Sequence, residues 1–477
     1  MYNIHFETLG CKLNQIESEA LARSFADEGF SIDLEPITAA KNEDANTLLC
    51  IINTCTVTTK AEQKARRIMR LLLSKFPKAA VVATGCYAEL DAKLIEQIDE
   101  RIAVIRGSRK DILAKLPKDF YAFINDKNLE SVPSQKEISD FVKSISRQEA
   151  EKKQTNDKSA FLLYTDTFQT HSRSSIKIQD GCANACTYCR IHLARGKTVS
   201  LDVKTVLERV QQLEKAGQHE VVFTGVNLSQ YRGEWEDRRE DFAGLLKILL
   251  ANTEKIAFRI SSFYPEHITE KLCEILRNPR VRPSFHLSIQ SGSDRVLAAM
   301  KRQYKAEDVY RAVKLLREAK ENPFIACDII AGFPGESEED FAETQKMCND
   351  LHFAWIHAFP FSPRPGTPAY TMTPKIPERI KGERVAWLTE KAQSEKIAYI
   401  NSLKGKTFDA IVENSRSDRI LMKKSPIVHA VTENFLHAEL SAPNAKPGDL
   451  IKVIIKEPLI DKILHNNESD VQCQLFK

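Results

Sequence analysis

The sequence predicts an α/β protein in three parts: an N-terminal parallel sheet flanked by helices, a central partial (β/α)6 barrel, and a small C-terminal antiparallel β-barrel. Short apolar runs alternate with helical patterns over the first 120 residues, and the same alternation recurs six times before residue 360. Short alternating runs separated by turns fill the end of the chain. The 477 residues suffice for two to four domains. We place an N-terminal domain at 1–120, a polar connector at 121–167, a central domain at 168–403 and a last domain at 404–477.

The N-terminal part carries three cysteines, each at the end of a predicted strand: Cys11, Cys55 and Cys86. Carboxyl ends of parallel strands meet at one edge of a sheet, so we expect these thiols to converge there. Helices that begin nearby favour the thiolate form. The alternative is three ordinary core cysteines, since buried thiols are common. The predicted strands are 3–8, 48–53, 79–84 and 102–106, with helices at 17–28, 61–75 and 92–98.

The central part repeats a strand and a helix six times, whereas a closed barrel of this kind needs eight units, so we expect one open side. The connector before it is expected to be solvated, with a short helix at 136–147. Five runs after a long helix at 377–403 predict the final OB-like barrel: FDAIVEN, ILMKK, IVHAVTEN, FLHAEL and DLIKVIIKE. The central strands are predicted at 174–179, 220–224, 255–260, 284–290, 324–331 and 355–359, with helices at 203–215, 242–250, 269–277, 306–319 and 338–351.

A second group of three cysteines lies in GCANACTYC, residues 181–189, on the loop after the first central strand. Cys182, Cys186 and Cys189 are one ligand short of a tetrahedral zinc site or a fully ligated iron-sulfur cluster. A 4Fe-4S cluster with three cysteines leaves one iron open to a small molecule. This spacing, with Tyr188 before the last cysteine, resembles the signature of radical S-adenosylmethionine (SAM) enzymes. A structural zinc knuckle or three unrelated buried thiols are the alternatives.

Several stretches resemble the parts of that superfamily that hold SAM. Gly225 and Asn227 lie on the loop after the second central strand, where backbone carbonyls hold the SAM amino group. Ser288 and Gln290 alternate along one strand, so they face the same side. Arg195 is suited to pair with the SAM carboxylate. The glycine-rich turn in residues 328–336 is expected near the adenine.

With all three parts considered, the chain resembles the methylthiotransferases of the radical SAM superfamily from end to end. The resemblance implies a C-terminal RNA-binding TRAM domain and an auxiliary 4Fe-4S cluster on Cys11, Cys55 and Cys86. It also implies that one SAM supplies a methyl group to sulfur at that cluster. A second SAM, on the cluster of the other three cysteines, provides the radical that removes hydrogen from an unactivated carbon. The matching words are TLGCKLNQIESE (8–19), NTCTVT (53–58), TGCYAE (84–89), QDGCANACTYC (179–189), SIQSGSDRVL (288–297), AGFPGESEEDF (331–341) and FSPRPGTPA (361–369).

The word GCKLNQ, residues 10–15, resembles the branch acting on carbon 2 of threonylcarbamoyladenosine, the modified adenosine beside the tRNA anticodon. The alternatives are the branch acting on isopentenyladenosine in tRNA and the branch acting on an aspartate of a ribosomal protein. The chain departs from the family in RIHLARG, residues 190–196, where an aliphatic, proline-containing run is common. It also has few aromatics in the last barrel for stacking bases.

RNA contacts have to come from local patches, because 69 basic and 65 acidic residues leave a net charge of only +4. The most basic stretch lies on the second helix, and a pair of lysines lies in the final barrel. A solvated helix face is the alternative. The RNA-contact candidates are Lys64, Arg66, Arg67, Arg70, Lys423 and Lys424.

The resemblance implies SAM and two 4Fe-4S clusters as cofactors. It also implies three partners: the tRNA anticodon stem-loop, a flavodoxin- or ferredoxin-type electron donor and a sulfur source. Without a signal peptide or an apolar run long enough for a bilayer, we expect a cytoplasmic protein with no membrane partner. Two competing hypotheses stay open. The first is a metal-stabilised RNA-binding protein without chemistry, and the second keeps the radical core but makes the N-terminal cysteines structural.

Overall fold

The computed structural model describes residues 2–126, 133–148, 157–166, 172–414, 427–467 and 469–476. Its α/β class, parallel sheets and C-terminal closed barrel confirm the predicted fold class. Within the described residues, no helix is long and apolar enough to cross a membrane.

Five parallel strands form the N-terminal sheet in the order β2-β1-β3-β4-β5. The strand order reverses between β1 and β3, and crevices at such reversals are ligand sites in doubly wound sheets. The elements are β1 Asn3–Thr8, α1 Lys12–Asp27, β2 Ser31–Asp33, β3 Thr47–Thr54, α2 Thr59–Lys75, β4 Ala80–Thr84, α3 Gly85–Leu90, α4 Ala92–Glu96, β5 Ile102–Val104, α5 Lys110–Ile124 and α6 Gln135–Ser146.

The expectation of a solvated connector is wrong along α6. Ile138, Val142 and Ile145 are at most 3% exposed and join the core beneath the N-terminal sheet. Phe141 stacks on Phe123 of α5, with ring centroids 4.2 Å apart. The polar average composition concealed one apolar face, which is enough to dock an amphipathic helix.

The central domain is a barrel of six strand positions that is open on one side, as predicted. Parallel strands β6, β9 and β12 form one sheet, and β13 to β16 form another. Only Ser261 separates β12 from β13, so the two sheets continue into each other. The elements are β6 Ser174–Lys177, β7 Gln179–Asp180, α7 Ile191–Arg195, β8 Val199–Ser200, α8 Val203–Lys215, β9 Glu220–Thr224, β10 Gly233–Trp235, β11 Arg238–Glu240, α9 Phe242–Ala251, β12 Ala257–Ile260, β13 Ser262–Phe263, α10 Glu270–Leu276, β14 Ser284–Gln290, α11 Asp294–Ala299, α12 Ala306–Ala319, β15 Phe324–Ala331, α13 Glu338–Leu351, β16 Trp355–Pro360 and α14 Glu378–Ser402.

The last domain is a closed five-stranded barrel in the order β17-β18-β19-β21-β20. The prediction of an antiparallel barrel is wrong for one pair, since β19 and β21 are parallel. A closed ring with an odd number of strands cannot alternate in direction throughout. The predicted run ILMKK lies outside the described residues, and the fifth strand is instead at the end of the chain. The elements are β17 Thr407–Val412, β18 Ile427–Thr432, β19 His437–Ser441, β20 Leu450–Pro458, α15 Ile460–Leu464 and β21 Val471–Leu475.

Buried arginines attach the last barrel to the central barrel. Glu220, at the start of β9, binds Arg259 at 2.6 Å and Arg282 at 3.0 Å. Arg259 also donates to the backbone carbonyl of Thr432 at 3.1 Å, and Arg282 pairs with Glu433 at 3.3 Å. The last barrel therefore lies at the end of the central barrel where its strands begin.

Candidate active site at the interface of two cysteine-bearing domains

The first cysteine trio consists of Cys11, Cys55 and Cys86, which follow β1, β3 and β4. Cys11 is exposed, whereas Cys55 and Cys86 are each 7% exposed. Gly10 adopts φ +100°, and a Cβ added to it would lie 2.9 Å from the sulfur of Cys55. The loop that carries Cys11 therefore packs directly on Cys55. Asn14 holds this arrangement by donating to the backbone carbonyls of Leu9, two residues before Cys11, and of Thr54, just before Cys55.

The second trio consists of Cys182, Cys186 and Cys189, on the loop between β7 and α7. Gly181 has φ +68°, and a Cβ there would lie 2.0 Å from the backbone oxygen of Lys197. Only glycine permits this close return of the chain. The loop is therefore fixed where the first central strand ends.

Burial lowers the acidity of four of these thiols. It raises the pKa of Cys55 to about 11 and of Cys189 to about 12, and it also raises the pKa of Cys86 and Cys182. At Cys55 and Cys86, desolvation of the charged form therefore outweighs any effect of nearby helices in favour of the thiolate. Deprotonation would accompany binding of a positively charged metal centre.

Within the described residues, no group of three or more His, Cys, Asp or Glu side chains is arranged around a single metal ion. An iron-sulfur cube makes a different demand, since each cysteine binds a different iron at its own corner. Three soft thiol donors in each trio, with one ligand lacking, fit such a cube with one open iron.

The residues after one cysteine of each trio meet on a single carboxylate. Thr56, which follows Cys55, donates its hydroxyl to Glu62 of α2. Arg190, which follows Cys189, donates to the same carboxylate at 3.1 Å. The two trios therefore border a common interface between the N-terminal and central domains.

A proline-rich segment after β16 reinforces this contact. Arg364, 2% exposed, pairs with Glu62 and donates to the hydroxyl of Thr59 at 2.9 Å. Ser362 accepts a hydrogen bond from the backbone of Thr59 at 3.1 Å. The segment is therefore part of the interface between the two domains.

A second ionic group, which we call the Glu17 cluster, lies on the other side of the first trio. Arg195 donates to Glu17 of α1 at 3.2 Å and to Asp180 of β7 at 3.1 Å. Lys110 and Lys177 place their ammonium groups within 3.5 Å of both carboxylates. All five side chains are at most 9% exposed.

Electrostatics within the Glu17 cluster favour the charged forms. Burial alone would raise the pKa of Glu17, but Lys110, Lys177 and Arg195 outweigh it and lower the pKa below its ordinary value. The same three cations hold the pKa of Asp180 well below its usual range against burial. Burial lowers the pKa of Lys177. The cluster therefore joins the two domains through two ionised carboxylates that share three basic side chains.

Arg195 lies beside the first cysteine trio rather than in the predicted SAM site beside the second. Its positive charge favours the thiolate form of Cys86, and its guanidinium donates to Asn14 at 2.7 Å, besides its two carboxylates. The sequence predicts a pairing with the SAM carboxylate, but these partners already engage the guanidinium. We therefore assign Arg195 to the interface.

The remaining SAM candidates lie around the second trio. The backbone N–H of Asn227 donates to the side chain of Gln179 at 2.8 Å, and its side-chain nitrogen lies 4.0 Å from the sulfur of Cys182. A Cβ added to Gly225 would lie 2.7 Å from the same Gln179 oxygen. The loop that bears both residues is therefore fixed against the start of the cysteine loop.

Tyr188, Ser288 and Gln290 lie on the other side of the second trio. Tyr188 packs against a buried apolar cluster that includes Phe333 and Phe361. Ser288 lies on β14 between Leu287 and Ile289, which are part of the hydrophobic core, so its side chain points to the opposite face of the strand. Gln290 has φ +73° at a shift in the strand register, so the predicted alternation ends before it. Contact of either residue with SAM stays a prediction.

Arg302, which the sequence analysis missed, lies against the second trio. It is 8% exposed and lies 3.4 Å from the sulfur of Cys186. Its nitrogens also donate to the hydroxyl of Tyr304 at 2.9 Å and to the backbone carbonyl of Ser288. A lone arginine in KRQY carries no motif, so only the fold reveals its position.

Replacing Arg302 with glutamine is expected to lower the reduction potential of the bound cluster, by an amount on the order of tens of millivolts. Hydrogen bonds and positive charge at the cluster sulfurs stabilise the reduced form. Redox titration followed by electron paramagnetic resonance measures the shift. Arg295→Gln, an exposed arginine on α11, is the matched control, and an unchanged potential in the Arg302 variant would contradict the assignment.

The RNA-contact candidates divide into three groups. Lys64, Arg67 and Arg70 are exposed on α2, which begins at the interface. Arg66 is half-buried and donates to the hydroxyl of Tyr87 at 2.7 Å, so it is partly structural. The last two candidates, Lys423 and Lys424, lie outside the described residues.

Two matches to family models agree with these two domains. Residues 176–348 match the Radical SAM superfamily, and residues 3–107 match uncharacterized protein family UPF0004. The fold and the second trio thus define a radical SAM enzyme, which uses SAM and a 4Fe-4S cluster.

Curated relatives extend over nearly the whole chain. The threonylcarbamoyladenosine tRNA methylthiotransferase MtaB of Treponema pallidum is 43% identical over 91% of this chain and 94% of its own length. MtaB of Thermotoga maritima is 34% identical over 87% of each chain. The chain belongs to the radical SAM methylthiotransferase family, whose members carry two 4Fe-4S clusters. A tRNA-2-methylthio-N(6)-dimethylallyladenosine synthase of Anaplasma phagocytophilum is 28% identical over 98% of this chain and 97% of its own.

Among solved structures, the radical SAM methyltransferase TsrM of Kitasatospora setae, with cobalamin and a [4Fe-4S] cluster bound, resembles this chain with a TM-score of 0.50. The two chains are 16% identical, and the match covers 78% of this chain and 77% of TsrM. This similarity concerns the fold alone.

Proposed function

We propose that this protein methylthiolates carbon 2 of threonylcarbamoyladenosine beside the tRNA anticodon. The observation that carries the proposal is the meeting of the two trios at one interface, where Glu62 binds the residues after Cys55 and Cys189. Two observations support this substrate over isopentenyladenosine. The first is the motif GCKLNQ at the first trio. The second is that the relatives named MtaB are more similar to this chain than the relative named for dimethylallyladenosine.

In this proposal the first trio holds the auxiliary cluster and the second holds the cluster that binds SAM. The bound clusters and SAM supply the methyl group, the sulfur and the radical chemistry. The protein supplies position: Arg195 and Asn14 fix the first trio, and Arg302 fixes the second. The SAM-binding residues are proposed to be Tyr188, Gly225, Asn227, Ser288 and Gln290.

We assign two further partners by chemistry. Reductive cleavage of SAM consumes an electron, which a flavodoxin- or ferredoxin-type protein would provide. Each turnover also consumes sulfur, and exposed Cys11 is the member of the first trio that a sulfur source would reach. Because its substrate is tRNA, we propose that the protein works in the cytoplasm.

The exposed cations of α2 are proposed to contact the RNA backbone. Replacing Lys64, Arg67 and Arg70 together with glutamine is expected to weaken binding of an anticodon stem-loop about tenfold and to flatten its salt dependence by about two to three ions, since each contact releases counterions. Fluorescence anisotropy at several salt concentrations measures both. Equal salt slopes for the variant and the native protein would contradict the contact. The matched control is a triple glutamine variant at Arg311, Lys314 and Lys346.

Mass analysis of tRNA nucleosides from a strain that lacks this protein tests the proposed substrate. Loss of the methylthio form of threonylcarbamoyladenosine, with recovery on re-expression, is the expected result. Loss of the methylthio form of isopentenyladenosine would move the protein to the other tRNA branch. An unchanged nucleoside profile would direct attention to the ribosomal protein.

A further inference from the structure

A cavity of about 480 Å³ lies between the interior of the central barrel and the last barrel. This volume is in the range of small-molecule sites. All three domains border it: Lys12 from the first, the barrel strands from the second, and Glu413 with His437 from the third. Nothing in the mechanism described above occupies it.

Lys12 is the residue that connects this cavity to the first trio. It directly follows Cys11, begins α1 and is half-buried. Arg173 and Glu413 face it across the cavity and Glu19 acts on it from its own helix, but among the described residues no carboxylate lies within ion-pair distance of its ammonium. A half-buried cation without an anion is costly, so the site suits an anionic ligand.

The other charges of the cavity are already balanced. Arg173 pairs with Glu413 at 2.8 Å, Lys396 pairs with Asp470 at 2.8 Å, and Arg259 pairs with the buried Glu220 at 2.6 Å. Among the described residues, Lys12 is therefore the lysine or arginine of the cavity wall that has no ion pair.

Two hydroxyl groups in the cavity also have unused hydrogen-bonding capacity. The hydroxyl oxygens of Ser175 and Ser261 are buried and have no hydrogen-bond partner among the described residues, and Ser175 is 1% exposed. Both residues line the cavity. Buried hydroxyls are normally satisfied, so these groups point to a polar ligand.

We infer that this cavity takes the N6 substituent of the substrate adenosine and that Lys12 binds the carboxylate of its threonyl group. The inference rests on the proposed function. Carbon 2 of the adenine has to lie beside the first trio to receive sulfur. The N6 substituent is attached to carbon 6, which is separated from carbon 2 only by N1, so the substituent lies on the same edge of the adenine ring. The hydroxyl and urea groups of that substituent match the free hydroxyls of the serines. Lys12 is thus the residue that selects the acidic nucleoside.

A backbone phosphate is the other anion within reach in an RNA complex, and binding measurements separate the two sources. Three stem-loops serve as probes: one with threonylcarbamoyladenosine, one with its threonyl carboxylate converted to an amide, and one with unmodified adenosine. The native protein is expected to bind the acid about tenfold more tightly than the amide, because a charged hydrogen bond is lost. Equal affinity for acid and amide would overturn the inference without requiring any variant.

Lys12→Gln supplies the second arm of the test. It should bind the acid about tenfold more weakly than the native protein and the amide equally well. Weaker binding of all three stem-loops by the same factor would instead indicate a phosphate contact and overturn the inference. Lys320→Gln is the matched control, since Lys320 is also half-buried and lines a different cavity.

If the native protein fails to methylthiolate the acid stem-loop, the proposed function itself fails. If the native protein methylthiolates the acid and amide stem-loops equally well at limiting stem-loop concentration, the proposed function stands and only the proposed binding of the carboxylate by Lys12 is wrong.

Discussion

Replacing Cys55 with alanine is expected to abolish methylthiolation while leaving the cleavage of SAM to 5'-deoxyadenosine intact. The first trio would lose one of its three ligands, whereas the second trio lies on a separate loop fixed by its own contacts. Iron content should fall from about eight to about four atoms per chain after anaerobic reconstitution, because one cube is lost. Iron analysis, 5'-deoxyadenosine yield and nucleoside mass analysis on the same sample measure the three effects.

Cys50→Ala is the matched control for this experiment. Cys50 lies inside β3, five residues before Cys55, and is fully buried in the core. Its replacement costs packing but should leave both clusters and the product unchanged. If Cys55→Ala still forms the methylthio product, the N-terminal cysteines are structural, as in the competing hypothesis, and the assignment of an auxiliary cluster to them is wrong.

Replacing Glu17 with glutamine is expected to reduce the free energy of unfolding by about 3 kcal/mol, because it leaves buried cations without a counter-ion. Lys110, Lys177 and Arg195 would then share only Asp180. Urea denaturation measures the change. Asp27→Asn, on the exposed end of the same helix, removes only a surface pair with Arg23 and should cost less than about 0.5 kcal/mol.

The stabilisation that Glu17 provides is also expected to depend on pH. Because the pKa of Glu17 is lowered in the folded protein, its stabilisation is fully present above the unfolded value and is lost as the pH falls toward the folded value. The gap in stability between the native protein and Glu17→Gln should therefore be widest near neutral pH and narrow on acidification. A gap that is independent of pH would show that Glu17 is not ionised in the fold.

Much of the fold follows from local patterns. The six central strand positions repeat apolar runs at regular spacing, and the structure has them where the periodicity predicts them. The missed elements lack such a signal. β2 has only three residues, and α5 contains Pro117, which normally argues against a helix interior. The polar average of the connector concealed the apolar face of α6.

The candidate site likewise has features that the sequence predicts and features that it does not. Both cysteine trios are visible in the sequence, because spacing and strand ends are local features. The contacts that bring them together are not visible, since Glu17, Glu62 and Arg302 lie far along the chain from their partners. One signal was available: Glu17 lies within a helix whose neighbouring residues are buried, and a charge among them predicts a buried partner.

We propose that two clusters, one on each trio, act together at one interface to methylthiolate threonylcarbamoyladenosine in tRNA. The most direct test incubates the anaerobically reconstituted protein with SAM, a reductant and an anticodon stem-loop that carries this nucleoside. The account predicts a nucleoside in which a methylthio group replaces the hydrogen on carbon 2, together with 5'-deoxyadenosine. A protein that holds both clusters and cleaves SAM but leaves the nucleoside unchanged would contradict it.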